Sequence, residues 1–206
     1  MKHLEAVIML TVGLTGDVGA GKTTLSRIWQ TMGATVFNAD DIARDMWKLP
    51  EIQKKAEARW GAGFFEGDWR IVLDRIAEKI FRDEEEYRFA SSLIHASTMN
   101  ELKRRVEQSK GWVVVEIPLL YECGLPDWID EVVFVSATPE KRVERNKIRG
   151  WDENEIRRRD SKLLSRSEKI NRADWVIENT GSVEDLETKA RELALIFIRG
   201  AGSTKA

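Results

Sequence analysis

Gly16-Asp17-Val18-Gly19-Ala20-Gly21-Lys22-Thr23 fits the spacing G-x-x-x-x-G-K-[ST]. Average residue usage makes a chance match in a chain of this length an event of on the order of one in a hundred. Ahead of the segment, the apolar run from Ala6 to Leu14 ends at glycines and predicts a buried parallel strand. Behind it the pattern predicts a helix from Lys22 to about Met32. Strand, glycine loop and helix in that order make a phosphate-binding P-loop. The glycines let backbone N–H groups converge on phosphate oxygens where a side chain would intrude. The helix start aims its partial positive charge at the same anion. Lys22 is expected to reach the β- and γ-phosphates, and the Thr23 hydroxyl to bind Mg²⁺. The candidate ATP-binding set is therefore Gly16, Asp17, Val18, Gly19, Ala20, Gly21, Lys22 and Thr23, with Thr24 in the same helical turn.

Beyond the loop and its helix, Ala34 to Phe37 predicts a second strand that ends at Asn38-Ala39-Asp40-Asp41. Trp112 to Ile117, Val132 to Ser136 and Trp175 to Ile177 predict three more, all separated by helical patterns. Alternation of this kind implies an α/β fold, a parallel sheet with helices on both faces. Residues 51–110 hold no convincing strand and predict several helices, broken between Gly61 and Gly67; an insert over 49–110 is expected. Residues 141–172 are highly charged and are expected to form an Arg-rich lid. Val183, Leu186, Ala190, Leu193 and Phe197 recur at helical spacing, with Ser182 and Asp185 placed for a capping box. Residues 200–206 are expected to fray, and the whole chain, 1–206, to be one domain.

The chain has 206 residues, 42% hydrophobic, enough for a core and against wholesale disorder. Its charged residues reach 33% yet nearly cancel at −2, which argues against nucleic acid as a partner. Cys123 is the only cysteine, so no internal disulfide forms and a reducing compartment is expected. No apolar run approaches the roughly 18 residues of a membrane span. Glu5 interrupts the start, and cleavage there would remove the strand feeding the loop, so the expected location is cytoplasmic. A monomer or weak oligomer is expected.

A regulatory GTPase carries Asn-Lys-x-Asp and Asp-x-x-Gly. Here Asn146-Lys147 is followed by Ile148-Arg149, and Asp-x-x-Gly is absent. A small-molecule kinase needs a base, an acceptor pocket and cations over the γ-phosphate. Asp40 and Asp41 follow the second strand, at the edge where open α/β sheets bind ligands. Asp40 is the candidate base, and Asp41 the candidate cap of the next helix. Arg142, Arg145 and Arg149 stand at i, i+3 and i+7 on one helical face, followed by Arg157, Arg158 and Arg159. Two readings compete: phosphate contacts, or a solvated face paired with Glu140, Glu144, Glu153 and Glu155. Arg145 is the candidate for ATP and Arg149 for the γ-phosphate. Glu116 closes the third strand beside Pro118 and Leu119, able to hold Mg²⁺ through water, to orient the acceptor or to pair with an arginine. His95 lies in a helical stretch, either structural or functional. Packing is the better account of the eight tryptophans. A different P-loop kinase for a nucleoside or nucleotide, and a non-catalytic nucleotide switch, remain rivals.

Several segments together resemble the dephospho-coenzyme A kinase family. They are Gly13-Leu14-Thr15-Gly16, Asn38-Ala39-Asp40 with Ala43-Arg44, Trp60-Gly61 and Ile94-His95. The run Glu116-Ile117-Pro118-Leu119-Leu120-Tyr121-Glu122, then Arg145, Arg149, Arg159 and Ala173 to Asn179, complete the set. The resemblance implies a three-layer P-loop kinase fold with five parallel strands, and transfer of a phosphoryl group from ATP, with Mg²⁺, to the ribose 3′-hydroxyl of dephospho-coenzyme A. By resemblance Asp40 takes the place of the catalytic base, Arg149 that of the lid arginine, with Lys22 on the transferred phosphate. Arg44, His95, Glu116, Pro118 and Leu119 would line the acceptor groove, and residues 49–110 would form the coenzyme-binding subdomain. Four positions depart from the family pattern: Asp17 for glycine, Asn38 for aspartate, Ala96 for proline and Leu163 for glutamine.

Overall fold

The computed structural model describes residues 10–161 and 163–200. Strand β1 (Leu10–Gly16) leads through the glycine loop into α1 (Lys22–Thr31), and β2 (Thr35–Asn38) follows. Then come α2 (Ala39–Met46), α3 (Pro50–Trp60), α4 (Trp69–Arg82) and α5 (Glu84–Glu107). The chain returns with β3 (Trp112–Glu116), β4 (Glu131–Ser136), α6 (Pro139–Asn146), a 3-10 turn (Lys147–Arg149), α7 (Glu153–Asp160) and α8 (Arg166–Arg172). It closes with β5 (Trp175–Glu178) and α9 (Val183–Gly200). The sheet has five strands in the order β2-β3-β1-β4-β5, and β1 pairs in parallel with both β3 and β4. Of the expected first strand, residues 6–9 lie outside the described part of the chain, as do 201–206 of the expected tail.

Two compact units emerge: one comprises the chain up to Phe37 and from Gln108 onward, the other Asn38–Glu107. In the first, strand alternation decides which side chains meet the helices. Val12 and Leu14 of β1, Trp112 and Val114 of β3, and Val133 and Val135 of β4 share one face. Leu25, Ile28 and Trp29 of α1 and Ala190, Leu193 and Phe197 of α9 cover that face. Trp29 is fully buried, donates its indole N–H to the Ala190 carbonyl at 2.9 Å, and packs edge-on against Trp112 and Phe197. The expected capping box starts α9: the Ser182 N–H donates to the Asp185 carboxylate and the Asp185 N–H to the Ser182 hydroxyl.

The second unit is all helix. Pro50 opens α3, and Gly61 ends it at a positive φ of 102°. The core of this unit holds Trp47, Ile52, Ala56, Val72, Ile76 and Ala90, with Trp60, Phe64 and Phe65 packed against it. Trp47, Trp60 and Phe65 lie ring against ring, so the tryptophans here are packing residues. The cap of α2 differs from expectation. Asn38, not Asp41, is the N-cap: its side-chain oxygen accepts the N–H groups of Asp40 and Asp41, while Asp41 pairs with Arg44. An N-cap lies just before the helix, and its oxygen reaches forward to the N2 and N3 amides, which here belong to Asp40 and Asp41.

Candidate phosphate-binding site

The loop between β1 and α1 is built on fixed carbonyls. The Asp17 N–H donates to the Val135 carbonyl of β4, and the Asp17 carbonyl accepts the Ala20 N–H, which closes a turn. Gly21 sits at φ 99° immediately before α1, and no side chain caps the helix start. Lys22 folds back over the loop, its Nζ donating to the Gly16 and Asp17 carbonyls at 3.1 and 3.0 Å.

Two arginines of α6 grip the loop from outside. Arg142 is buried; its Nε donates to the Val18 carbonyl at 2.8 Å and its Nη2 pairs with Asp160. Arg145 donates to the Ala20 carbonyl and, through Nη2, to both oxygens of Asn179. Asn179, just beyond β5, sends its own Nδ2–H to the Ala20 carbonyl at 2.8 Å. In a planar trans peptide the carbonyl and the next N–H point in opposite directions. Fastening the Val18 and Ala20 carbonyls to the arginines therefore turns the Gly19 and Gly21 N–H groups away from them, toward the loop's inner side. The glycines are required by these struts. A Cβ on Gly19 would stand 2.1 Å from Asn146 Nδ2, and one on Gly21 2.5 Å from Asn179 Nδ2, both at positive φ.

Glu116, the last residue of β3, is in phase with Trp112 and Val114 and so faces α1. Its carboxylate is buried and accepts the Thr23 hydroxyl at 3.0 Å and the Ser26 hydroxyl at 3.3 Å, one helical turn apart. Beyond it, the Thr15 hydroxyl donates to the Pro118 carbonyl, and Leu119 is half-buried at the same strand end. Burial pushes the Tyr121 phenol up to about 12, helped by the nearby Asp174 carboxylate and opposed by the Arg172 guanidinium above its ring.

The charged stretch 141–172 divides its arginines by role. The α-helix holding Arg142 and Arg145 ends at Asn146 and gives way to the 3-10 turn, so Arg149 does not continue their helical face; its side chain lies outside the described part. Arg157, Arg158 and Arg159 pair with Glu153 and Glu155, the solvated reading of that run, and Arg159 also stacks on Trp151 at 3.7 Å. Two opposed arginines hold the Glu155 carboxyl down to about 2, Arg158 the stronger. Of the acceptor candidates in the helical unit, Asp40 is exposed in the first turn of α2, Arg44 bonds Asp41, and His95 is exposed on α5. Motif and spacing give no role to Asn146, Ser26, Asp160, Arg166 or Lys169, which the structure ties into the site or its supports. Each acts through a partner distant in the chain or through the backbone. Ser26 alone left a signal, three residues after Thr23 on the helix facing Glu116.

Residues 10–185 match the model of the dephospho-CoA kinase family. A Corynebacterium diphtheriae dephospho-CoA kinase is 34% identical over 191 residues, covering 90% of this chain and 96% of the relative. A Thermus thermophilus protein of known structure superposes with a TM-score of 0.73 at 28% identity, covering 90% of this chain and 96% of its own. Dephospho-CoA kinase from Campylobacter jejuni, at 19% identity, shares the fold with a TM-score of 0.66, covering 94% of this chain and all of its own, 100%. Phosphate loop, parallel sheet and a family match running through both units agree: the chain belongs to the dephospho-CoA kinase family.

Proposed function

We propose that this chain transfers the γ-phosphoryl group of ATP to the ribose 3′-hydroxyl of dephospho-coenzyme A, giving coenzyme A and ADP. The observation carrying this reading is the loop whose Val18 and Ala20 carbonyls are tied back by Arg142, Arg145 and Asn179. That bracing holds amides, an ammonium and a helix start ready for a triphosphate before it arrives, so little reorganisation is left for the reaction. Lys22 is the residue that would follow charge onto the transferred group. Arg149 is the proposed lid arginine and Asp40 the proposed base, both supported by the family pattern. Arg44, His95, Pro118 and Leu119 are proposed for the acceptor, and residues 49–110 as its binding subdomain.

Thr23 and Glu116 supply oxygen donors that meet at 3.0 Å, the donor chemistry a hard cation such as Mg²⁺ requires. Mg²⁺ bound there would neutralise charge on the β- and γ-phosphates. Glu116 and Ser26 would then keep the Thr23 hydroxyl oriented, and this explains why a carboxylate is buried on an otherwise apolar sheet face. Among the described residues no helix is long and apolar enough to cross a membrane. A cytoplasmic monomer or weak oligomer working on two small molecules, without nucleic acid, completes the proposal.

ADP release across a panel of acceptors tests it. Dephospho-coenzyme A is expected to stimulate release strongly. Stimulation by nucleosides or nucleotides instead would reassign the acceptor, and ATP binding without acceptor-dependent turnover would point to a switch. In the same assay Asp40→Asn is expected to lower kcat by about a hundredfold or more while ATP affinity stays within a few-fold. Unchanged turnover would remove Asp40 as the base.

A further inference from the structure

Asp17 puts a carboxylate inside a loop whose proposed ligand is a triphosphate. Its side chain is only 8% exposed, so water screens it poorly. Its backbone is also the pivot of the loop: N–H to Val135, carbonyl shared by Ala20 and Lys22. The carboxylate does not stand alone. Arg166, the first residue of α8, donates its Nε–H to Asp17 Oδ2 at 3.1 Å and its Nη2–H to the Ser136 hydroxyl at the end of β4. Nε and Nη2 are two donors of one rigid guanidinium edge, so a single planar group fastens the loop to the sheet. The helix that carries it is anchored twice over. Ser165 caps it through the Glu168 N–H, and buried Lys169 pairs with Glu122.

We infer that Arg166 is the counter-charge that makes an acidic phosphate loop competent for ATP, a positioning residue acting as a pair with Asp17. The pair cancels the loop's negative charge, and it keeps the Asp17 peptide where its carbonyl receives Lys22. A lysine at this position would supply charge from a single atom, without the planar edge that spaces two donors toward Asp17 and Ser136. The inference rests on the proposed ATP site.

Calorimetric ATP titration at fixed Mg²⁺ tests the pair, using the whole chain, Arg166→Ala, Arg166→Lys, Asp17→Asn and the double variant Asp17→Asn/Arg166→Ala. Thermal midpoints check that each has folded, and Arg166→Gln carries the comparison if Arg166→Ala unfolds. Arg166→Ala is expected to weaken ATP binding by about tenfold or more, the scale of one uncompensated charge contact, with kcat at saturating ATP changed less. Arg166→Lys should recover only part of the loss. The double variant should recover most of it, because the carboxylate that needed the arginine is gone. Two results overturn the pair alone: ATP affinity in Arg166→Ala equal to the parent, or a double variant as weak as Arg166→Ala. A parent chain that binds no ATP overturns the functional reading and the pair with it.

Discussion

Asn179 shows how much one residue can hold. Its Nδ2 supports the Ala20 carbonyl, its two oxygens receive Arg145, and its N–H reaches the Ser136 carbonyl at 2.7 Å. Removing the side chain leaves the Ala20 carbonyl to Arg145 alone and takes from that guanidinium its side-chain acceptor, only the backbone carbonyl of residue 179 remaining. Asn179→Ala should therefore weaken ATP binding by about tenfold, ~1.4 kcal/mol, measurable by titration, with the fold intact. An affinity within twofold of the parent would mean the loop braces itself. The glycine pattern around Lys22 was legible because the motif is contiguous. The struts were not: Asn179 stands far along the chain from Ala20, and spacing alone carries no information about which residues meet across a sheet. The arginine run shows the same limit. Helical spacing placed Arg142 and Arg145 on one face, but whether that face meets phosphate or the loop's own carbonyls depends on tertiary contacts. The acidic pair after β2 is a third case. Both aspartates qualified as caps by type, and the cap proved to be Asn38, since capping depends on where the helix starts.

At the scale of elements, the strands were the easiest to foresee. Runs such as Trp112-Val113-Val114-Val115-Glu116 are apolar and β-branched because both faces of a parallel sheet are covered. The period of two also explains why Glu116 meets α1, an inference open to the sequence once α1 is placed. After β4 the helical charge patterning continues past Asn146 to Arg149, while the α-helical hydrogen bonds do not. Helices α1 and α9 owe their placement to Trp29. Trp29→Ala would empty a fully buried site and leave the Ala190 carbonyl without its indole donor. Urea denaturation should show a loss of about 3–5 kcal/mol. A loss under about 1 kcal/mol would mean that this layer repacks freely.

Across the whole molecule, the helical unit Asn38–Glu107 and the sheet unit each carry their own buried core. Residues 51–110, where the sequence predicts several helices, hold most of α3 together with α4 and α5, because the absence of alternation over some sixty residues is itself a strong pattern. Stability should respond to alkali through Tyr121. Its folded phenol is held up to about 12, above the ordinary value of 10.0, so burial favours the neutral form. That contribution is complete below about pH 10 and is lost as pH rises toward 12. The chain has two tyrosines, Tyr87 and Tyr121, so phenolate absorbance in a Tyr87→Phe variant isolates the buried one. Ionisation delayed to about 12 is expected; ionisation near 10 with the fold intact would contradict it. If backbone amides turned inward by fastened carbonyls grip a triphosphate for transfer to dephospho-coenzyme A, the transferred group is itself observable. Phosphorus NMR of the chain with Mg·ATP and dephospho-coenzyme A follows it. A new phosphomonoester resonance is expected to grow in step with ADP and to be lost in Lys22→Ala. Inorganic phosphate as the only new species, or a monoester formed equally well by Lys22→Ala, would contradict it.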